Sequence, residues 1–303
     1  MTAAPGPSPL QESPALARAL GVERAFLKRE DLLPWGGGNK ARRFGALLAS
    51  RAELVRRVFA MSNRGAHTFF TLAQMLPALA AGSGCDPVEL HTFERDVGGG
   101  GYRDEMEAAY ARFAGIRRRI GDARRLSVEL ARARLSRRPG DLFLGLGGRQ
   151  TGRDNPYRAA VGEDRAALAA AGPATHLVAV ASGGMAAGIA AGLDDHGLSG
   201  EVVGVLTAEP WGSVGLRLSH ARRRGRVRIV RSPLGLSPAT TTSRHLAVIE
   251  RVAADTGVVV DPHHMAHVLA AAYAEAARGT LGGAVVLWVS CPRRTATAAT
   301  PGA

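Results

Sequence analysis

Residues 178–188 read Val-Ala-Val-Ala-Ser-Gly-Gly-Met-Ala-Ala-Gly, an apolar strand that passes through a Ser-Gly-Gly turn into a helix of small residues. A helix that opens on such a turn presents backbone N–H groups and a hydroxyl, which together stabilise a phosphate. Tight helix–strand packing would explain the same glycines. A dinucleotide is the competing ligand, but the G-x-G-x-x-G pattern is incomplete and Glu209 only loosely matches the acid expected about 20 residues on. The stretch therefore predicts a strand–loop–helix unit with an anion site.

The chain on both sides of this unit alternates between strands and helices. In the second half we expect strands at 176–181, 201–208, 227–230, 258–260 and 284–290, and helices at 185–193, 243–256 and 264–278. In the first half we expect strands within 22–33, at 54–61 and at 88–93, and helices at 41–52, 69–81 and 104–135, the last with a break at Gly121. Strands that alternate with helices of this length indicate a mainly parallel α/β sheet.

A second glycine turn, Gly36-Gly37-Gly38-Asn39-Lys40, leads directly into the helix expected at 41–52. Glycines allow backbone conformations and close approaches that a Cβ forbids. The helix dipole disfavours an ammonium here, and a lysine kept neutral is suited to act as a Schiff-base nucleophile. A glycine turn followed by an ordinary exposed lysine fits the same residues. Because lysine occurs only at positions 28 and 40, chemistry that needs a side-chain amine has just two candidates.

Polar residues also follow two other expected strands. Ser62-Asn63 comes after the strand at 54–61, where the asparagine can donate to a phenolate oxygen and the loop amides can hold a carboxylate. A helix N-cap is an equal explanation of that pair. Ser290-Cys291 ends the last strand, where open α/β sheets place ligands, although a plain strand terminus fits as well. Both pairs are therefore candidates for a site at the carboxyl ends of the strands.

Three histidines, His263, His264 and His267, lie close together near the C-terminus. No cysteine or further carboxylate at ligand spacing accompanies them, so a metal site is incomplete. General acid–base or structural roles are therefore favoured, and we expect no metal.

The composition argues against several classes of function. The 303 residues carry a formal net charge of +13, almost all from arginine, yet aromatic residues make up only 5%, so stacking platforms for nucleic acid are not evident. No apolar run approaches the ~18 residues of a membrane span, and the first ten residues are unlike a signal peptide. We therefore expect a cytoplasmic protein that binds neither nucleic acid nor membrane, with Cys85 and Cys291 reduced.

Taken in chain order, these segments resemble the pyridoxal-phosphate (PLP) enzymes of the tryptophan-synthase-like fold (fold type II). The most similar group is the 1-aminocyclopropane-1-carboxylate deaminase and D-cysteine desulfhydrase family. The segments that carry the resemblance are Ser8–Gln11, Leu20–Val22, Leu27–Leu32, Gly37–Lys40, Ser62-Asn63 with Thr68, Gly147-Gly148 with Tyr157, Ser182–Gly184 and Asp261-Pro262. They span most of the chain, so the resemblance implies the family's fold and its cofactor.

The resemblance also implies a role for each matching residue. Lys40 would bind the cofactor as a Schiff base and move the substrate proton, and Asn63 would hydrogen-bond the cofactor's O3′. The substrate would meet Ser62, Asn63, Thr68 and Tyr157. The phosphate would lie on Ser182, Gly183, Gly184, Met185 and Ala186. Ser290, with Cys291 as the alternate alignment, would lie by the pyridine nitrogen, where a neutral hydroxyl leaves that nitrogen unprotonated and favours elimination chemistry.

The departures from the family's pattern concern the substrate more than the cofactor. His264 stands where the family has a tyrosine, Met265-Ala266-His267 where it has Thr-Gly-Lys, and Met185 where it has a threonine. The family's His-Thr-Gly-Gly is replaced by Ser290-Cys291-Pro292-Arg293. An imidazole titrates near neutral pH and can replace a phenol, so His264 joins Lys40 and Ser62 as a candidate catalytic residue. Deamination of the cyclopropane substrate is not expected without the tyrosine.

We therefore expect a two-lobed α/β protein with three-layer αβα architecture and mainly parallel sheets. A large PLP-binding domain would comprise residues 1–44 and 157–303, and a small domain residues 45–156, with PLP in the cleft. The expected enzyme removes a Cα proton from a small amino acid and then performs β-elimination, β-replacement or deamination, in the manner of a D-cysteine desulfhydrase. The alternatives are a nucleotide-binding oxidoreductase and a PLP-fold protein without activity. The resemblance alone implies a homodimer.

Overall fold

The computed structural model describes residues 6–49, 55–84, 87–97, 102–144, 155–207, 218, 224–235 and 242–291. The strands are β1 (Leu10–Glu12), β2 (Arg24–Lys28), β3 (Arg57–Asn63), β4 (Glu89–Arg95), β5 (Ile116–Gly121), β6 (Asp141–Leu144), β7 (Ala174–Val180), β8 (Gly200–Leu206), β9 (Val227–Arg231) and β10 (Ala284–Trp288). The helices are α1 (Pro14–Leu20), α2 (Gly38–Ala49), α3 (His67–Ser83), α4 (Tyr102–Tyr110), α5 (Ala123–Leu135), α6 (Pro156–Glu163), α7 (Arg165–Ala171), α8 (Gly184–Asp195), α9 (Ser243–Thr256) and α10 (Met265–Ala277). None of these helices is long and apolar enough to cross a membrane.

The chain divides into two compact units, each with its own sheet. The large unit holds the described residues from 7 to 33 and from 155 to 291, and the small unit holds those from 34 to 144. The domain boundaries expected from the sequence, 44/45 and 156/157, differ from these. The first difference has a packing reason, because Phe44 and Leu48 of α2 are buried in the core of the small unit.

The sheet of the large unit has the strand order β1-β2-β10-β7-β8-β9. β1 pairs antiparallel with β2, and the other pairs are parallel. Alternate side chains of each strand enter different cores, as the two-residue period of a strand requires. One core packs α6, α7 and α8 against the sheet, and the other packs α1, α9 and α10. This unit is therefore three-layered, and the carboxyl ends of its parallel strands share one edge.

The sheet of the small unit is parallel throughout, with the strand order β5-β4-β3-β6. Helices α2, α3 and α4 pack on one face through a large apolar core. Of the described helices, α5 packs on the other face, where the core is much smaller. On that face Phe59 lies opposite His91 and Phe143 in the strand register, and the rings stack with centroids 4.7 and 4.4 Å apart.

The expected α/β class with mainly parallel sheets is confirmed, and two expected elements are corrected. The helix expected over 104–135 is wrong, because residues 116–121 form the strand β5 between α4 and α5. This strand lies at the sheet edge and carries three successive arginines, so it lacks the apolar character by which strands are recognised. The short strand expected at 258–260 is not formed as a strand: only Val260 makes an isolated β-bridge.

Candidate active site

Lys28, the first of the two lysines, is a fully buried structural cation. Its Nζ donates to the Ser8 carbonyl at 2.6 Å and to Glu163 Oε2 at 2.9 Å, and it lies 2.6 Å from Asp164 Oδ2. The ammonium group of a buried lysine that pairs with two carboxylates is held in these ion pairs. Because the sequence holds only Lys28 and Lys40, Lys40 is the side-chain amine left for Schiff-base chemistry.

Lys40 follows a segment with an unusual backbone. The residues from Trp35 to Gly38 have φ values of 54°, 80°, 69° and 80°. This left-handed region is easily reached by glycine but strained for tryptophan, and such strain concentrates at functional sites. Helix α2 begins at Gly38, so Lys40 lies in its first turn, where the helix dipole disfavours a positive charge. The local structure thus favours an amine that reacts.

Ser62 and Asn63 are the last two residues of β3, at the carboxyl edge of the small unit's sheet. Asn63 Oδ1 accepts a hydrogen bond from Arg95 Nε at 2.9 Å. With that oxygen taken, the two N–H donors of the Asn63 amide are the groups that can meet a phenolate oxygen. Thr68 is buried in the first turn of α3, directly after the same loop. These three predicted residues therefore belong to one strand–loop–helix segment.

The predicted phosphate loop connects β7 to α8 in the large unit. Gly183 caps α8 with φ 78°, and a Cβ there would lie 3.3 Å from Leu218 Cγ, so glycine suits both the backbone and the packing. Ala187 N bonds Gly183 O at 3.0 Å, closing the first helical turn. The preceding N–H groups, of Gly184, Met185 and Ala186, have no acceptor within a helix and point out of its N-terminus. This end of α8 can therefore offer backbone N–H groups to an anion. The Met185 side chain adds no hydroxyl to them.

Asn155 holds this loop in place and was not predicted from the sequence. It is buried, its Oδ1 accepts from Tyr157 N at 3.1 Å, and its Nδ2 donates to Gly184 O at 2.7 Å. A Cβ on Gly188 would lie 2.3 Å from Asn155 Oδ1, so the side chain needs that glycine. The Asn-Pro pair at 155–156 marks a helix start in the sequence, but nothing local indicates the contact with α8.

Ser290 lies at the same edge of the large sheet as the phosphate loop, because β10 pairs in parallel with β7. It is buried two residues beyond β10, and its Oγ lies 3.6 Å from Met265 Sδ at the start of α10. Cys291 is buried and forms no disulfide with another described residue. The structure therefore brings Ser290, Ser182 and the start of α10 to one region of the large unit.

His264 precedes α10 and is positioned by Asp261. The fully buried Asp261 accepts N–H bonds from His263 and His264 at 2.9 and 2.8 Å, and from Met265 at 3.3 Å. Burial raises the pKa of Asp261 to about 7, although the three N–H donors lower it. The imidazole rings of His263 and His264 pack edge to face at 4.6 Å. The backbone of His264 is thus fixed by a buried carboxyl group.

The third histidine of the cluster faces elsewhere. His267 is buried, with Nδ1 2.8 Å from Ser232 Oγ and Nε2 3.2 Å from His245 Nε2. Burial lowers the pKa of His267 to about 4, so the ring is neutral at physiological pH. Among the described residues no group of three histidines, cysteines or carboxylates is arranged to hold a metal ion.

Tyr157, expected at the substrate, is fully buried in the core of the large unit. Its ring packs edge-on against Trp288 with centroids 6.0 Å apart. This placement suits a packing role, and the contact of Tyr157 with the substrate stays a prediction. Gly147, Gly148, Glu209 and Cys85 lie outside the described residues.

A family model described as pyridoxal-phosphate dependent enzyme matches residues 1–291. The chain belongs to this family. PLP is therefore its cofactor, and the protein is a PLP-dependent enzyme. No curated protein matches the chain.

Solved structures show the same fold at low sequence identity. An ACC deaminase homologue is 20% identical, with a TM-score of 0.75 over 95% of this chain and 90% of that one. An L-serine ammonia-lyase from Rhizomucor miehei is 15% identical, with a TM-score of 0.65 over 96% and 95% of the two chains. A hydrogen sulfide-producing enzyme from Fusobacterium nucleatum is 12% identical, with a TM-score of 0.60 over 95% of both. These similarities establish the fold of the PLP enzyme.

The donor groups of both units fit this cofactor. PLP requires an amine for its aldehyde, an anion site for its phosphate and hydrogen-bond partners for its ring. The small unit offers Lys40 and Asn63, and the large unit offers the N-terminus of α8 with the hydroxyls of Ser182 and Ser290. Each chemical requirement therefore has a matching group at a carboxyl strand end or a helix N-terminus.

The ion cluster of Lys28 yields a stability prediction. Lys28→Ala removes a fully buried cation and leaves two partly exposed carboxylates without it, and we expect a loss of about 2 kcal/mol in the free energy of unfolding, measured in urea. Arg24→Ala, on the same strand, breaks an exposed pair with Glu12 and should change it far less. Equal losses in the two variants would contradict the structural role of Lys28.

Proposed function

We propose that this enzyme removes the Cα proton of a small amino acid and then eliminates or replaces a β-substituent or releases ammonia, with β-elimination from cysteine as the leading reaction. The ion cluster that encloses Lys28 carries the proposal, because Lys40 is the only other lysine of the sequence and therefore the candidate for the Schiff base. The similar structures support the reaction class, since they include an L-serine ammonia-lyase and a hydrogen sulfide-producing enzyme.

In the small unit, Lys40 attaches the cofactor and then moves the substrate proton. PLP, when bound, supplies the electron sink for the pair left on Cα. Asn63 donates its amide N–H to the cofactor's phenolate oxygen, a role supported by the contact of its oxygen with Arg95. Ser62 and Thr68 bind and orient the substrate carboxylate, together with the amides of the loop between them.

In the large unit, the N-terminus of α8 holds the cofactor's phosphate. Ser182 contributes its hydroxyl, and Gly183, Gly184, Met185 and Ala186 contribute backbone N–H groups. Ser290 would offer its neutral hydroxyl to the cofactor's ring nitrogen; a hydroxyl there, unlike a carboxylate, would favour elimination over reactions that need a stronger electron sink. We also propose a homodimer, which the family resemblance implies, and a cytoplasmic location, which is the expectation from the sequence.

The reaction is tested by a panel of D- and L-isomers of cysteine, serine and β-chloroalanine, supplied to the PLP-loaded protein. We expect keto acid to form from at least one of them, with equimolar ammonia in elimination, and the activity to disappear in Lys40→Ala. Cofactor bound without turnover of any substrate would favour the inactive PLP-fold alternative. Turnover retained in Lys40→Ala would contradict the role of Lys40.

The brace between Asn155 and Gly184 makes a prediction that separates phosphate binding from overall stability. Asn155→Asp keeps the oxygen that caps α6 but loses the donor to Gly184 O and adds a negative charge near the phosphate. We expect the affinity for PLP to fall roughly tenfold, the equivalent of about one hydrogen bond, in an absorbance titration of the apoenzyme. The affinity for pyridoxal, which has no phosphate, should fall much less in the same variant. Ser13→Asp, which keeps the cap of α1 and adds the same charge, is the control.

His264 is proposed as the second acid–base group, and its neighbour provides a matched control. His264→Phe should keep the absorption band of the bound cofactor but lower kcat/KM by roughly 10²–10⁴, the usual contribution of general acid–base catalysis. His263→Phe alters the ring that packs edge to face against His264 and should affect turnover far less. Equal effects of the two changes, or unchanged turnover in His264→Phe, would remove His264 from the mechanism.

A further inference from the structure

A cavity of about 750 Å³ lies in the small unit, between α5 and the sheet. Arg57, the first residue of β3, lines it, whereas Asn63 is the last residue of the same strand. Six residue steps along a strand span about 20 Å. The cavity also lies on the α5 face, whereas Phe44 of α2, the helix that carries Lys40, packs on the opposite face. It is therefore separate from the residues of the small unit that are proposed to bind PLP.

Positive charge in this cavity exceeds the carboxylates that can neutralise it. Arg57 is satisfied by Asp141, with two bonds of 2.7 Å. Arg119 and Arg125, however, share the one carboxylate of Glu129, at 3.5 and 2.9 Å. Arg132, two turns along α5 from Arg125, forms no ion pair with any described residue. Like charges that converge on one cavity repel each other unless an anion is bound.

His91 provides a second, independent observation. It lines the cavity, and its Nε2 lies 2.9 Å from Glu89 Oε2. Its Nδ1 is buried and has no hydrogen-bond partner within the described structure. A buried polar atom without a partner is destabilising, and such atoms in native proteins call for a ligand, an ion or a water. His91 thus adds a buried imidazole beside the arginines that line the cavity, with Nδ1 closed off from solvent.

We propose that this cavity binds an organic polyphosphate, a chain of two or more phosphates on an organic group. Guanidinium groups form paired, charge-assisted hydrogen bonds with phosphate oxygens, and Arg119, Arg125 and Arg132 reach the cavity from two elements. Arg125 and Arg132 are seven residues apart, about 10 Å along the helix, which suits an extended chain of charges better than one ion. The volume is that of a whole ligand rather than of a single phosphate.

The proposal is tested by calorimetric titration of the PLP-loaded enzyme with ATP and with tripolyphosphate, in EDTA and at constant ionic strength. We expect saturable binding of both probes with one site per chain. Tighter binding of ATP would show that its organic group contributes, and equal binding would show that the phosphate chain suffices. The proposal would be overturned if neither probe showed saturable binding. It would also be overturned if binding were lost when sodium chloride replaced the buffer ions at the same ionic strength.

Variants locate the site and separate it from diffuse charge attraction. The double change Arg119→Gln with Arg132→Gln should weaken both probes at least tenfold. Arg137→Gln removes an exposed arginine that follows α5 and lies outside the cavity, and should leave the affinity unchanged. Equal weakening by the cavity pair and by Arg137→Gln would overturn the proposal. Circular dichroism and retention of the PLP absorption band confirm that each variant is folded, so the result does not depend on the proposed reaction.

Discussion

Parallel pairing of β2, β10, β7 and β8 brings the ends of these strands to one edge of the large unit. The residues proposed for cofactor binding in this unit follow that edge, in the loop after β7 and just after β10. Lys28, the last residue of β2, ties the same edge to the end of α6 through Glu163 and Asp164. Because the lysine of this cluster is fully buried, its ion pairs stabilise this part of the sheet. The cluster also engages the Lys28 amine, and the amine proposed to react is that of Lys40 in the small unit.

The sequence predicted those features that depend on neighbouring residues. The loop at Ser182–Gly184 and the turn before Lys40 are visible because glycine-rich turns between strands and helices are local signals. Asn155 was missed because its contact with Gly184 joins residues 29 positions apart. His267 was grouped with His263 and His264 by proximity in sequence, whereas its partners, Ser232 and His245, come from other elements. Strand β5 was missed because its arginines hide the apolar pattern of a strand.

The net charge of +13 does not show how the charged residues are distributed over the structure. Arg118 lies between Glu94 and Glu107 at 2.8 and 2.7 Å, and other arginines close similar pairs. Most such pairs at a surface contribute little energy, and because the 39 lysines and arginines outnumber the 26 acidic residues, positive charge stays unbalanced at several places. One of those places is the cavity beside α5. It lies on the face of the small unit's sheet that has the smaller apolar core. Net charge alone therefore says less about ligands than the local ratio of arginines to carboxylates.

The central claim is that Lys40 carries the cofactor while Lys28 serves only the structure. The most direct measurement is borohydride reduction of the PLP-loaded enzyme, followed by proteolysis and mass spectrometry of the labelled peptides. Reduction makes the bond between lysine and cofactor permanent, so the labelled residue is identified without reference to activity. We expect one pyridoxyl group per chain, on Lys40. A label on Lys28, or no stoichiometric label on either lysine, would contradict the account.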